Sequence, residues 1–162
     1  MTDPAPRPTP RDRDVQGRAR NARPRDDLGR PLPRGAVGSY VEEALPPEPD
    51  ALLAIGVAHF NAHRFFQAHE AWETAWHPSP PAEREAWQGI TQIAVGCTHV
   101  QRGNPAGAMK LLRRGADRLA PYAEDFRGIA VASLARDARA LADAIQVAGI
   151  HADIIFPVVT QS

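Results

Sequence analysis

Cysteine is almost missing from this chain: Cys97 is the single one in 162 residues. No internal disulfide is possible, and the apolar helical setting Ala94-Val95-Gly96-Cys97 marks the thiol as a small core residue rather than a nucleophile. Lysine is equally scarce, with Lys110 alone among 19 basic residues. The excess of Arg, beside plentiful Ala and Pro, reads as codon bias and carries no function. No run approaches the roughly 20 apolar residues that span a bilayer. No apolar core of a secretory signal follows the N-terminus either, so the expectation is a soluble, cytoplasmic protein with no membrane partner. Net charge is also lacking, at 19 basic against 19 acidic residues. That zero hides an asymmetry: residues 1–35 hold nine Arg against five Asp, leaving ten basic and fourteen acidic groups in the body. A basic arm precedes an acidic body.

Residues 1–40 carry seven Pro among Arg, Asp and Gly, too little apolar surface to offset chain entropy. They predict an extended or disordered arm, part of which, Asn21 to Gly35 with Leu28 and Leu32, lies against the body. Residues 41–162 predict a single helical domain. Asp50 caps a first long helix running to Trp76, where His77-Pro78-Ser79-Pro80-Pro81 stops it. A second helix runs from Ala82, with Glu83 and Glu85 near its positive end, to Arg102. Gly103-Asn104-Pro105 then reads as terminator, cap and first-turn proline of a third helix reaching Leu119. A fourth covers Ser133 to Val147, ended by Gly149, and the β-branched tail Ile150 to Val159 predicts an extended strap. No convincing strand pair is visible. The fold class is all-α, a compact bundle of four main helices with short connections.

The chemistry sits in two helical stripes. On a continuous first helix Asn61, Phe65, His69 and Glu73 fall in line at intervals of four, with Glu70, Trp72 and Trp76 alongside. On the second, Gln88, Gln92, Val95 and His99 form a similar line, and Gly89 and Gly96 allow close backbone approach or leave room for a ligand. If the helices are antiparallel neighbours, Asn61, His69, Glu70 and Glu73 face Gln88, Gln92 and His99 across an interior cleft. His69-Glu70-Ala71-Trp72-Glu73 resembles the helix motif of zinc hydrolases with its last His replaced by Glu. His69 and Glu73 then reach one divalent metal ion, His99 is the first candidate for a third ligand, and His63 and His77 are weaker ones. Glu70 would act as general base on a bound water, with Asn61, Gln88, Gln92 and Trp76 lining the binding site.

The same residues admit a plainer reading, in which Glu and His hydrogen-bond with Gln92, Asn61 and the indole N–H of Trp72 or Trp76 and only fix helix register. Phe60, Phe65, Phe66, Trp72, Trp76 and Trp87 are read as core, and His59, His63, His77 and His151 as surface or packing residues. The Arg-rich arm raises nucleic-acid contact. Its five Asp, its lack of stacking aromatics and the acidic body argue against that partner.

Phe60-Asn61, Phe65, Ala68-His69-Glu70, Glu73 and Trp76, followed by Gln88-Gly89, Gln92, Ala94, His99, Arg102-Gly103-Asn104, Gly107-Ala108 and Leu111, resemble the signature of domain-of-unknown-function family 309. The resemblance covers about Asp50 to Leu119. In the arm, Gly17-Arg18, Asn21-Ala22-Arg23-Pro24-Arg25-Asp26 and Leu28-Gly29-Arg30-Pro31-Leu32-Pro33 resemble an extension seen on actinobacterial members. The resemblance implies a compact all-helical prokaryotic protein, in a family sometimes labelled metal-dependent hydrolase on the strength of the His-Glu motif itself. Where members place Asp to cap the last helix this chain has Ala130, so Ser133 is the expected cap. Two functions stand. One is a metal-dependent hydrolase acting on a small molecule, with His69, Glu73 and His99 as ligands and Glu70 as base. The other is a non-catalytic helical module, possible as a homo-oligomer, that binds a small ligand or partner.

Overall fold

The computed structural model describes residues 23–122 and 125–162. The chain divides into two units between Val41 and Glu42. The expectation of disorder for residues 1–22 lies outside the described residues. Residues 23–41 form a clip rather than a plain extended arm. Asp26 Oδ1 accepts from the backbone N–H groups of Leu28 and Arg30 at 3.0 and 2.8 Å, and Gly29 takes a positive φ of 70°. Pro24 O then accepts from Leu32 N and Arg25 O from Tyr40 N. A side-chain-capped turn of this kind needs no hydrophobic core.

The described residues of the second unit form five α-helices: α1 Pro49–Asn61, α2 Phe65–Trp76, α3 Pro81–Gln101, α4 Pro105–Leu119 and α5 Val131–Ala148. Successive helices α1 to α4 pack against one another, and α5 packs against α4. The single helix expected from Asp50 to Trp76 is therefore two. It breaks at His63, whose φ is 57° although it is neither Gly nor Asn. Tertiary contacts hold that conformation: the His63 ring stacks on Phe65 and packs on Phe156, and Gln101 on α3 donates to His63 O at 2.8 Å. Asp50 is the second residue of α1, not its cap, and pairs with Arg127.

The punctuation around α3 and α4 follows local chemistry. Pro81 and Pro105 occupy first turns, where a missing N–H costs nothing. Asn104 caps α4 by accepting from Gly107 N at 3.0 Å, and Gly103 takes a φ of 70°. After a 3₁₀ turn at Ala120–Tyr122 comes an antiparallel hairpin, β1 Asp125–Phe126 and β2 Ile129–Ala130, which corrects the expectation of no strand pair. Its two-residue turn, Arg127-Gly128, has positive φ at both positions, 50° and 83°, as the right-handed twist of short hairpins favours. Ala130 precedes α5 without a side-chain cap, so Ser133 lies inside the helix and does not cap it.

The tail returns as a strap and adds to the hairpin. Ala130 N donates to Thr160 O at 2.9 Å and Ser162 N to Gly128 O at 3.1 Å. Trp72, Trp87, Phe60 and Phe65 are fully buried between the helices, and Val159 of the strap joins them. Cys97 is also fully buried, and burial drives its thiol far up from its ordinary range, so it stays neutral. Among the described residues no helix is long and apolar enough to cross a membrane.

Asn61 does not line a cleft. Its amide donates to Val159 O and accepts from Val159 N, both at 2.9 Å, in the manner of a neighbouring strand. Asn61→Ala is expected to cost about 1–3 kcal/mol by leaving that backbone pair without partners. Urea denaturation gives the loss, and faster amide exchange at Val159 localises it.

Candidate functional site

α2 is short because Pro78 stops it; it carries His69 and Glu73 four apart, and His77, at its C-cap, continues the interval of four. His69 is anchored first. Its Nδ1–H donates to Phe66 O at 2.8 Å, its ring lies 5.1 Å from the Phe66 ring, and its Nε2 faces Glu73 Oε2 at 3.3 Å. The other Glu73 oxygen faces His77 Nε2 at 3.8 Å. The file is not interior: the His69 side chain keeps 19% of its surface exposed and Glu73 43%. Glu73 is held below the usual carboxylate range, chiefly by its hydrogen bond to His69 and further by the charges of His69 and His77, against the opposing effect of burial.

The α3 stripe turns elsewhere. Gln92 Oε1 accepts from Arg118 Nε on α4 at 3.1 Å, and Arg118 also pairs with Glu85. Asn104 uses Oδ1 on Gly107, so its NH₂ end donates to His99 Nδ1 at 3.0 Å. That assignment puts the imidazole proton of neutral His99 on Nε2. The neutral form is favoured, since burial, and after it the charge of Arg102, push His99 below its ordinary value. Gln88 and Glu70 are half-buried. Gly89 and Gly96 leave no room for a ligand: a Cβ at Gly89 would meet Gly115 O at 3.0 Å, and one at Gly96 would meet Leu112 Cγ at 2.8 Å. They let α4 approach α3.

The interior cleft expected between the two stripes is thus not formed. Asn61 serves the strap, Gln92 serves α4 and His99 serves the α3–α4 corner, while the Trp72 indole donates to Leu53 O at 3.3 Å instead of to a His or Glu. What comes together is His69, Glu73 and His77. Arg102 joins from the end of α3, with its guanidinium carbon 5.7 Å from the centre of the Phe66 ring against which His69 packs. His77 could be found by its i, i+4 spacing from Glu73, whereas Arg102 was marked only as a helix end and as part of the Arg102-Gly103-Asn104 resemblance. Trp76 is half-buried with its ring stacked on His77, and its Nε1 has no acceptor among the described groups.

A catalytic metal of the hydrolase kind needs three protein ligands and an open position. Among the described residues no three His, Cys, Asp or Glu side chains gather to hold an ion. His69 and Glu73 supply two donors, and neutral His99 has one nitrogen protonated and the other accepting from Asn104. His77 lies against the other Glu73 oxygen at 3.8 Å and does not complete the set, so the described residues do not fit a three-ligand centre.

The geometry defines a helical module with one half-exposed His–Glu file flanked by aromatic rings and an Arg. Residues 53–111, which carry that file, match the family described as Domain of unknown function (DUF309). The Uncharacterized protein YpuF of Bacillus subtilis (strain 168) is similar, at 42% identity over 55 residues, covering 33% of this chain and 32% of the relative. The chain thus spans about a third of that relative's length. No solved structure matches.

Two acid steps in stability are expected. His99 has a lowered folded pKa, so the unfolded chain binds its proton first. Its stabilisation is complete above the ordinary value of 6.5 and is lost as pH falls through the lower folded value. Glu73 has a lowered folded pKa, so its contribution is complete above the ordinary 4.5 and is lost below it. Melting temperatures measured from about pH 7 down to about pH 3 should lose the upper step in His99→Gln and the lower step in Glu73→Gln.

Proposed function

We propose that the domain is a non-catalytic recognition module of the cytoplasm, and that the α2 face of Phe66, His69, Glu73 and His77, with Arg102 beside it, binds a small polar molecule. The observation that carries this reading is the half-exposed but tightly oriented His69–Glu73 pair. Nδ1 of His69 is fixed by Phe66 O, so its other nitrogen and the Glu73 carboxylate are presented together to solvent at a defined spacing. With the Nδ1–H of His69 given to Phe66 O, what the pair offers over the apolar ring is acceptor capacity, above all the Glu73 carboxylate, which suits a ligand that carries N–H donors. Such a pair adds little to stability, because exposed ion pairs are worth about 0.2–1 kcal/mol.

A second reading keeps the metal-dependent hydrolase. His69 and Glu73, four apart on one helix face, are two of the ligands it requires, and Glu70 would be its base. The third ligand would have to come from outside the described donors.

One experiment separates the readings. Protein purified without chelator is expected to hold only trace zinc by elemental analysis, and His69→Ala and Glu73→Gln are each expected to lose less than about 1 kcal/mol. A thermal-shift screen of small metabolites bearing amine and carboxylate groups should give a stabiliser whose effect disappears in both variants. Stoichiometric zinc that is lost in His69→Ala would instead favour the hydrolase. A loss of about 3–5 kcal/mol in either variant would mark a structural network.

A further inference from the structure

α5 has one side in the core, and among the described residues no helix covers the other. At about 100° per residue Arg136, Asp137, Ala140, Ala144 and Val147 share that outer side. Ala140 and Ala144 are exposed, and Val147 is 88% exposed. On the neighbouring strap Ile155 is 86% and Val158 49% exposed. These three are all the large exposed apolar side chains of the described residues in the helical unit. Between α5 and the strap lies a cavity of about 370 Å³, lined by Asp137, Ala140, Leu141, Ala144, Ile154 and Phe156 among others. An open apolar cleft beside unpaired apolar side chains is a surface built to be covered.

We infer that a second copy of this chain covers it, as a symmetric dimer with α5 antiparallel to α5. The arrangement of charge selects this occupant. A two-fold axis that sets Ala140 against Ala144 of the partner subunit also sets Asp137 against Val147 of the partner subunit. That valine then enters the cavity whose rim Asp137 forms, and the same happens in reverse. Arg136 comes opposite Ala148 of the partner subunit, at the start of the partner's strap. Arg136 is 70% exposed and its recorded ion pair is with its own neighbour, Asp137. Asp153, on the strap and in the lining of the cavity, is an exposed carboxylate with no ion pair among the described residues. An antiparallel copy places Arg136 toward Asp153 of the partner subunit twice over, so the face is complementary to itself. A uniformly basic peptide would match only the acidic half. The two central alanines permit the close helix approach, about 8 Å between axes, that such a pair requires. The 18 residues of α5 give a contact line of about 27 Å on each copy.

Sedimentation velocity of the full chain from low to high micromolar concentration is expected to show a species of twice 17.6 kDa. Ala144→Glu, at an exposed helical position, should give a monomer that still melts in one cooperative transition, shifted only by the lost association. Arg136→Asp and Asp153→Arg should each weaken the dimer about tenfold, and the double variant should recover most of that loss. A monomeric wild type would overturn the inference. So would a dimer that survives Ala144→Glu, or a double variant as weak as the sum of the two singles. If Ala144→Glu unfolds, the charge exchange decides alone.

Discussion

The close approach of α3 and α4 sets the direction in which Gln92 and His99 leave α3. At their crossing a Cβ on Gly115 would fall 2.6 Å from Gly89 O and 2.7 Å from Ile93 Cγ1, so the backbones touch where side chains would stand. Gly89 and Gly96, seven apart, form the line that faces α4. On a helix at about 100° per residue, Gln92 and His99 lie only about 60–80° round from that line. They are therefore carried to the flank of α4, where Gln92 meets Arg118 and His99 meets Asn104. The same glycines that suggested space for a ligand remove it. They also decide that the two polar stripes do not face each other.

The periphery is closed by a few residues that act at a distance. Arg127, held with positive φ in the hairpin turn, donates to Asp50 at the start of α1 and to Glu83 at the start of α3, and lies over the Trp87 ring at 5.8 Å. Both carboxylates sit at helix N-termini, where negative charge is favoured by the macrodipole, so one guanidinium joins two helix starts that are already acidic. At the opposite end of α1, Asn61 supplies the strap with the hydrogen bonds of a missing strand. The helical unit is thus fastened by polar side chains satisfying backbone or charge, while its interior is almost wholly apolar.

Much of this was legible where the signal is local. Pro78 to Pro81, Gly103-Asn104-Pro105 and the spacing of Leu134, Ala138, Leu141 and Ile145 marked helix ends and a buried face, and the structure has them there. The break at His63 was not legible, because neither Gly nor Pro signals it and the positive φ is held by Phe65, Phe156 and Gln101 from other elements. The role of Asn61 depends on Val159, 98 residues away. The hairpin strands, two residues each, are too short to show alternation. For the site, the i, i+4 rule correctly paired His69 with Glu73, since that contact lies within one helix. It failed for His99 because the relation between helices depends on how each is rotated by packing.

The distribution of satisfied and unsatisfied groups along α2 bears on what the segment is for. In a structural network the buried polar atoms are the ones with partners, and exposed atoms are left to water. Here the half-exposed His69 and Glu73 are partnered, while the buried Nε1 of Trp76, one turn on, finds no acceptor among the described protein groups. An unmet buried donor costs about 1–3 kcal/mol, more than an exposed His–Glu pair returns. An apolar isostere such as Phe at position 76 would remove that demand, and Gln at position 73 would remove the acid-sensitive charge. Selection for stability accounts for Glu73, whose contact with His69 is favourable, but not for the unmet indole donor of Trp76. An unmet buried indole one turn from an oriented, half-exposed His–Glu pair is the distribution expected if α2 is the recognition face proposed above.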